Sequence, residues 1–286
     1  MVRAVQLPEG VRHAKARIRP AYRKATRRSR SLPDFVILGA QKAGTTSLIR
    51  YLRSHPDVAL EPGVGEVHFF DIHWPKGELF YRSHFPRTAT LERSSNGSGV
   101  RALTGEKTPY YLFHPLVPAR AAATIPDAKL IALLRNPSER AASHHKMNFN
   151  MGTETLSFGE AIQREGERID ERLQKIIDGT APAGGGPVAL YSYVGRGLYA
   201  DQLDRWLQHY RRDQLLILRS EDLLTDPADT YGRVLEFLEL DYVPAEFERH
   251  NAARKPYHVE PEVRARLDEL FEEPNRRLAE EYGITW

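Results

Sequence analysis

The 286-residue chain is 41% hydrophobic and 28% charged, a composition that suits one large α/β domain with a sizeable core and excludes global disorder. It contains no cysteine, which excludes a disulfide framework, a thiolate zinc site and a cysteine nucleophile; its apolar runs are far too short to span a bilayer. The formal net charge of +3 is unevenly spread, because residues 1–30 carry ten Lys/Arg against the single acid Glu9, leaving the remainder at −6.

That asymmetry predicts a basic arm over residues 1–31 ahead of a mildly acidic body over 32–286. The arm lacks the apolar stretch of a secretory signal. Its charge suits peripheral contact with anionic lipid or another polyanion, a transit peptide, or a solvated tail resting on the body. Nothing in it specifies a nucleic-acid reader. With no secretory signal and no cysteine, the expected location is the cytoplasm, and the Ala/Arg-rich composition points to a bacterial source.

In chain order, residues 34–39 (Asp-Phe-Val-Ile-Leu-Gly) read as a buried strand, since four apolar residues run without alternation and stop at glycine. Residues 45–55 follow as a helix with Leu48, Tyr51 and Leu52 at helical spacing. A short β-segment is expected over 101–104. Residues 129–135 form a second buried strand, after which Asn136-Pro137 caps a helix. Residues 214–219 form a third, and Asp226-Pro227 caps a helix over 228–239. Strands separated by helices predict a single α/β domain with a central parallel sheet flanked by helices. Two stretches read as irregular: the polar run 92–99 and the Gly-rich run 178–187, the latter either a lid or a mobile surface loop.

The junction Gly39-Ala-Gln-Lys-Ala-Gly-Thr-Thr-Ser47 carries the chemistry. A buried strand enters a glycine-bounded turn and then a helix N-terminus, whose free amides and dipole favour an anion. Lys42 adds a point charge, and Thr45 and Thr46 add hydroxyls. This P-loop-like cradle departs from the nucleotide-triphosphatase order GxxxxGK[ST], because its lysine stands inside the turn, ahead of the second glycine.

With its neighbours, this order resembles the sulfotransferase superfamily that uses 3′-phosphoadenosine 5′-phosphosulfate (PAPS), and within it the heparan sulfate sulfotransferases and their bacterial relatives. The resemblance runs from about Pro33 to the C-terminus. Its blocks are Gln41-Lys-Ala-Gly-Thr-Thr-Ser47, His55-Pro-Asp57, Glu66-Val-His-Phe-Phe-Asp71, Glu106-Lys-Thr-Pro-Tyr110, Leu134-Arg-Asn-Pro-Ser-Glu-Arg140 with Ser143, and Glu273-Pro-Asn275.

The resemblance implies PAPS as co-substrate, no metal, and an acceptor hydroxyl on a carbohydrate, glycolipid or glycosylated metabolite. It places Lys42, Ala43, Gly44, Thr45, Thr46 and Ser47 on the phosphosulfate, with Lys42 neutralising the leaving phosphate. Lys107, which by itself reads as a surface lysine, becomes the second lysine near the transferred sulfate. Arg135 and Ser143 match the residues that hold the donor's 3′-phosphate; Arg135 also suits a plain strand-end ion pair. Glu66 matches the proposed catalytic base, and the apolar bulk of the residues after it is expected to raise its pKa. His68 is a second base candidate or a structural histidine. Arg254 and Lys255 correspond to a nucleotide-closing basic run. That run is shortened here and lacks the family's disulfide, so the family's acceptor contacts do not carry over. The rival readings are a P-loop kinase or other phosphotransferase, and a non-catalytic nucleotide- or polyanion-binding protein.

Overall fold

Unalternating apolar runs bury strands on both faces, and the computed structural model stacks them as expected. Four parallel strands lie in the order β2-β1-β3-β4: β1 is Phe35–Gly39, β2 Gly105–Lys107, β3 Lys129–Leu134 and β4 Leu215–Arg219. The structure describes residues 20–93, 101–247 and 259–286. Every residue of β1 is buried, as are all of β3 beyond Lys129. The principal helices around the sheet are α1 (Thr45–Ser54), α2 (Val117–Thr124), α3 (Pro137–Asn150), α4 (Glu165–Ile177), α5 (Tyr199–Leu207), α6 (Pro227–Phe237) and α7 (Pro261–Tyr282). Among the described residues no helix is long and apolar enough to cross a membrane.

The helix starts follow their caps. Asn136 accepts the Glu139 amide ahead of Pro137, and Asp226 accepts that of Asp229 ahead of Pro227. The short edge strand starts four residues later than the predicted 101–104, at Gly105, with Val36 paired to Glu106 and Ile37 to Lys107. Asp34 explains the shift: its carboxylate accepts the Thr104 amide at 2.7 Å and pairs with Arg101. Residues 101–104 are thus held by the Asp34 side chain and by a main-chain bridge of Leu103 to Val58, and the pairing with β1 begins at Gly105.

The end of the basic arm is part of the body. Arg23 Nε lies 3.2 Å from Glu61, and the buried Arg30 reaches the same carboxylate at 3.1 Å as well as the Phe85 carbonyl. These two charges are spent on folding; residues 1–19 lie outside the described residues, as does most of the predicted irregular run 92–99. The Gly-rich stretch 178–187 is pinned near its middle, because His114 Nε2 donates to the Ala183 carbonyl at 2.6 Å. Gly184 packs its backbone on Ile72, where a Cβ would come within 2.1 Å of the Ile72 side chain.

The sheet order reverses at the β1/β3 pair, since the chain leaves β1 for β2 on one side and returns to β3 on the other. In open parallel sheets the crevice at the carboxyl ends beside such a reversal receives ligands. The turn after β1, the segment after β2 and Arg135 after β3 all open there.

Candidate active site

Close packing shapes the turn after β1. The Leu112 amide donates to the Leu38 carbonyl at 2.9 Å, and a Cβ on Gly39 would stand 2.8 Å from the Leu112 Cβ. Glycine thus lets the segment after β2 lie against the start of the turn. Lys42 (φ 75°) and Gly44 (φ 91°) are left-handed, which folds the turn back over the N-terminus of α1. The first-turn amides of Thr45 and Thr46 have no acceptor within the helix, and the helix dipole places partial positive charge there.

Cations crowd this turn. Arg135 donates to the Lys42 carbonyl at 3.3 Å and approaches Glu139 at 3.5 Å. Lys42 Nζ has Met147 Sδ at 3.7 Å. Burial, with Arg135, Arg140 and Lys146 nearby, holds its pKa below the usual lysine value. Behind the turn, Arg196 is buried, donates to Gln41 Oε1 and the Ala189 carbonyl at 2.6 Å each, and stacks over Tyr110 at 4.6 Å. Arg140 is wholly buried and donates to the Tyr193 carbonyl, while its Nε and Nη1 have no partner among the described residues. His144, also buried, has neither ring nitrogen hydrogen-bonded, and burial followed by Arg196, Arg140 and Lys42 pushes its pKa well down. So many neighbouring cations with so little counter-charge make a standing demand for an anion.

A second group forms beside the end of β2. Lys107 Nζ donates to Glu66 Oε1 at 2.7 Å, and His68 Nε2 lies 3.3 Å from Glu66 Oε2. The other ring nitrogen of His68 is 2.6 Å from the buried carboxylate of Asp71. Both nitrogens face carboxylates, so both act as donors and the ring is an imidazolium. Desolvation opposes that charge, but the hydrogen bonds to Asp71 and Glu66 prevail and raise the His68 pKa to about 9. Glu66 answers in the opposite direction. Desolvation pushes its pKa up, yet the hydrogen bonds from His68 and Lys107 outweigh this and hold it at about 2. The expected rise for Glu66 is therefore corrected: its neighbours on the open side are two cations, and the aromatic rings of Phe69 and Phe70 turn into the core.

The structure brings Glu66, His68 and Lys107 into direct contact, and joins Arg135 to the turn that carries Lys42, Ala43 and Gly44. Thr45 is buried at the start of α1, where Thr46 and Ser47 follow half-buried, and Ser143 stands half-buried on α3 beyond Arg140. Arg254 and Lys255 lie outside the described residues. Sequence reasoning missed Arg196, Arg140, His144 and Glu106. Arg196 comes from a Gly-Arg-Gly run about 150 residues from the turn it touches, and no local pattern ties the two together.

The comparisons with known proteins meet this geometry. The family described as "Sulfotransferase domain" matches residues 32–255. The chain belongs to that sulfotransferase family. It is 35% identical over 213 residues to the human heparan sulfate glucosamine 3-O-sulfotransferase 3B1, covering 74% of this chain and 47% of that protein. A sulfotransferase from Alicyclobacillus acidocaldarius superposes with a TM-score of 0.67 at 30% identity, covering 90% of this chain and 98% of that one. The bifunctional heparan sulfate N-deacetylase/N-sulfotransferase 1 of Caenorhabditis briggsae is 28% identical over 256 residues, which are 88% of this chain and 28% of that protein. The sulfotransferase chain described here thus spans about half the length of the human 3-O-sulfotransferases it matches, and less of the bifunctional one.

Proposed function

We propose that the chain is a PAPS-dependent sulfotransferase acting on a hydroxyl of a carbohydrate acceptor by in-line displacement. The observation that carries this reading is the meeting, at the carboxyl ends of β1, β2 and β3, of an under-neutralised cationic turn with a carboxylate held by an imidazolium and a lysine.

The donor's 5′-phosphosulfate fits the turn at Lys42 and residues 43–47, and its 3′-phosphate fits Arg135 with Ser143 on α3. An arginine fork donates two bonds to a phosphate, which suits that assignment. As the sulfur–oxygen bond of the anhydride breaks, charge gathers on the leaving phosphate, where Lys42 stands to neutralise it. A new bond forms from the acceptor oxygen to sulfur, and the acceptor proton passes to Glu66. In the free protein Glu66 is a weak base because two cations hold it. An incoming sulfonate competes for Lys107, which relieves Glu66 of one of them and raises its basicity when the acceptor needs it. His68 is poorly suited to accept that proton, since an imidazolium has no free lone pair.

The kinase alternative lacks comparable support. Lys42 stands inside the turn and not after Gly44, and the matching family is one of sulfotransferases.

A thermal-shift comparison tests the donor site. Adenosine 3′,5′-bisphosphate offers two phosphates to two separated cationic positions, so it should raise Tm by several degrees, as linkage requires of a ligand well above its Kd. ATP with magnesium should raise it far less. Equal shifts from both ligands would remove the PAPS assignment.

A further inference from the structure

The carboxyl of Glu106 is buried within β2, on the core side of the site, and among the described residues no cation is one of its hydrogen-bond partners. Tyr81 donates to its Oε1 at 2.6 Å, Thr108 donates to its Oε2 at 2.8 Å, and the Tyr111 hydroxyl stands at 3.5 Å from Oε1. Desolvation lifts its pKa to about 7, against the lowering effect of the hydrogen bonds from Tyr81 and Thr108. Burying a carboxyl is costly, and an apolar side chain would fill the same space without that cost.

The hydroxyls show what the carboxyl provides. A hydroxyl that donates its hydrogen bond to a carboxyl keeps lone pairs for an outside donor. Thr108 Oγ1 accepts the Val67 amide at 3.2 Å, and the Tyr111 hydroxyl accepts the Phe69 amide at 2.7 Å. These two amides flank His68, whose backbone is left-handed at φ 50°, ψ 39°. For a residue other than glycine that conformation is disfavoured, and it persists only where the surroundings over-determine it.

We propose that Glu106 is a positioning residue: by accepting hydrogen bonds from the hydroxyls of Thr108 and, at longer range, Tyr111, it turns their oxygens toward the Val67 and Phe69 amides, and so fixes the backbone that aims His68 and Glu66. Asp71 completes the arrangement from the other side, holding the His68 ring itself at 2.6 Å. The buried network therefore sets the backbone and Asp71 sets the ring. The two together bring Nε2 to Glu66.

The inference rests on the reading of Glu66 and His68 as the acceptor-activating pair, but its first test needs no turnover. The His68 imidazole is followed by NMR as pH is raised, with His68→Gln identifying its signal. In the unmodified protein the ring is expected to keep its proton to about pH 9, because Glu66 and Asp71 both face it and the Glu106 carboxyl lies near, against Lys107, which shares Glu66, and His73. In Thr108→Val and Tyr111→Phe the midpoint should fall by about one unit or more toward the ordinary histidine value, as the ring drifts from Glu66; Glu106→Gln should lower it too, in part through the lost charge of Glu106 itself. An unchanged midpoint in the folded variants overturns the proposal. Thr108→Val and Tyr111→Phe are near-isosteric and bring no new charge, so they carry the test if Glu106→Gln does not fold.

Turnover gives the second readout. Each variant should lower kcat about tenfold or more with the donor KM changed less than about twofold, and Thr108→Val should add little to Glu66→Gln. Donor binding lost in step with kcat, or losses that simply add, would mean that the network serves only the fold. Absence of transfer from PAPS by the unmodified protein would sink the functional reading instead, and the titration would still decide the role of Glu106.

Discussion

Lys42→Ala is expected to abolish measurable transfer while the protein still folds and still binds adenosine 3′,5′-bisphosphate, though more weakly. Lys42 Nζ is half-buried at the turn, with Met147 Sδ at 3.7 Å, and burial first, then Arg135, Arg140 and Lys146, depress its pKa. Removing it therefore breaks no ion pair among the described residues and relieves some repulsion, so stability should hold or rise slightly. The loss falls on the transition state, because the leaving phosphate gains its charge only as the anhydride opens. One preorganised donor at such a position contributes about 10²–10³-fold in rate, and a full cation in a desolvated turn should reach the upper end or exceed it. Arg135→Ala makes the informative contrast. The 3′-phosphate is charged throughout the reaction, so its loss should raise the donor KM and leave kcat nearly intact. Steady-state kinetics on both variants, with circular dichroism to check folding, measures the split. A near-normal kcat in Lys42→Ala would remove the leaving-group role from the turn lysine.

The same residues show how much of this was legible beforehand. The strands that end at Gly39 and Leu134 were readable because fully buried parallel strands have continuous apolar runs, and the caps at Asn136 and Asp226 because side-chain capping has a local signature. The cradle was readable because its glycines, lysine and hydroxyls are contiguous. What was not legible depends on residues distant in sequence. Arg196 reaches Gln41 across the fold, and Glu106 reaches the amides around His68 through two hydroxyls. The direction of the Glu66 shift was misjudged for a related reason. Adjacent aromatic residues suggest an apolar setting, but the chain turns at the left-handed His68 into a short helical segment, so Phe69 and Phe70 enter the core while the carboxylate ahead of the turn ends among Lys107 and His68. The β2 start was misplaced because residues 101–104 are extended but held by the Asp34 carboxylate and by a bridge to Val58, not by the β1 ladder.

Glu66→Gln should reduce kcat by about 10²–10⁴-fold with little change in donor affinity, since the amide keeps the shape and loses the capacity to take a proton. The amide can still accept from Lys107, so the site should remain assembled. His68→Asn should cost less, because the ring aims and charges the site and does not take the proton. The pH profile separates the two roles. The free protein holds Glu66 at about 2, so kcat/KM for the donor should show no acid limb above about pH 5. His68 is raised to about 9, so its proton is in place below that pH and is lost above it; one of its two hydrogen bonds to Glu66 and Asp71 then fails, and kcat/KM should decline on the alkaline side. With donor bound, Lys107 is drawn toward the sulfonate and Glu66 becomes more basic, so kcat should acquire an acid limb at higher pH than kcat/KM does. In His68→Asn the alkaline limb assigned to the imidazolium should disappear while the acid limb of kcat remains. Near-wild-type turnover in Glu66→Gln beside a collapse in His68→Asn would reverse the assignment: the imidazole would then be the base and Glu66 the group that orients it.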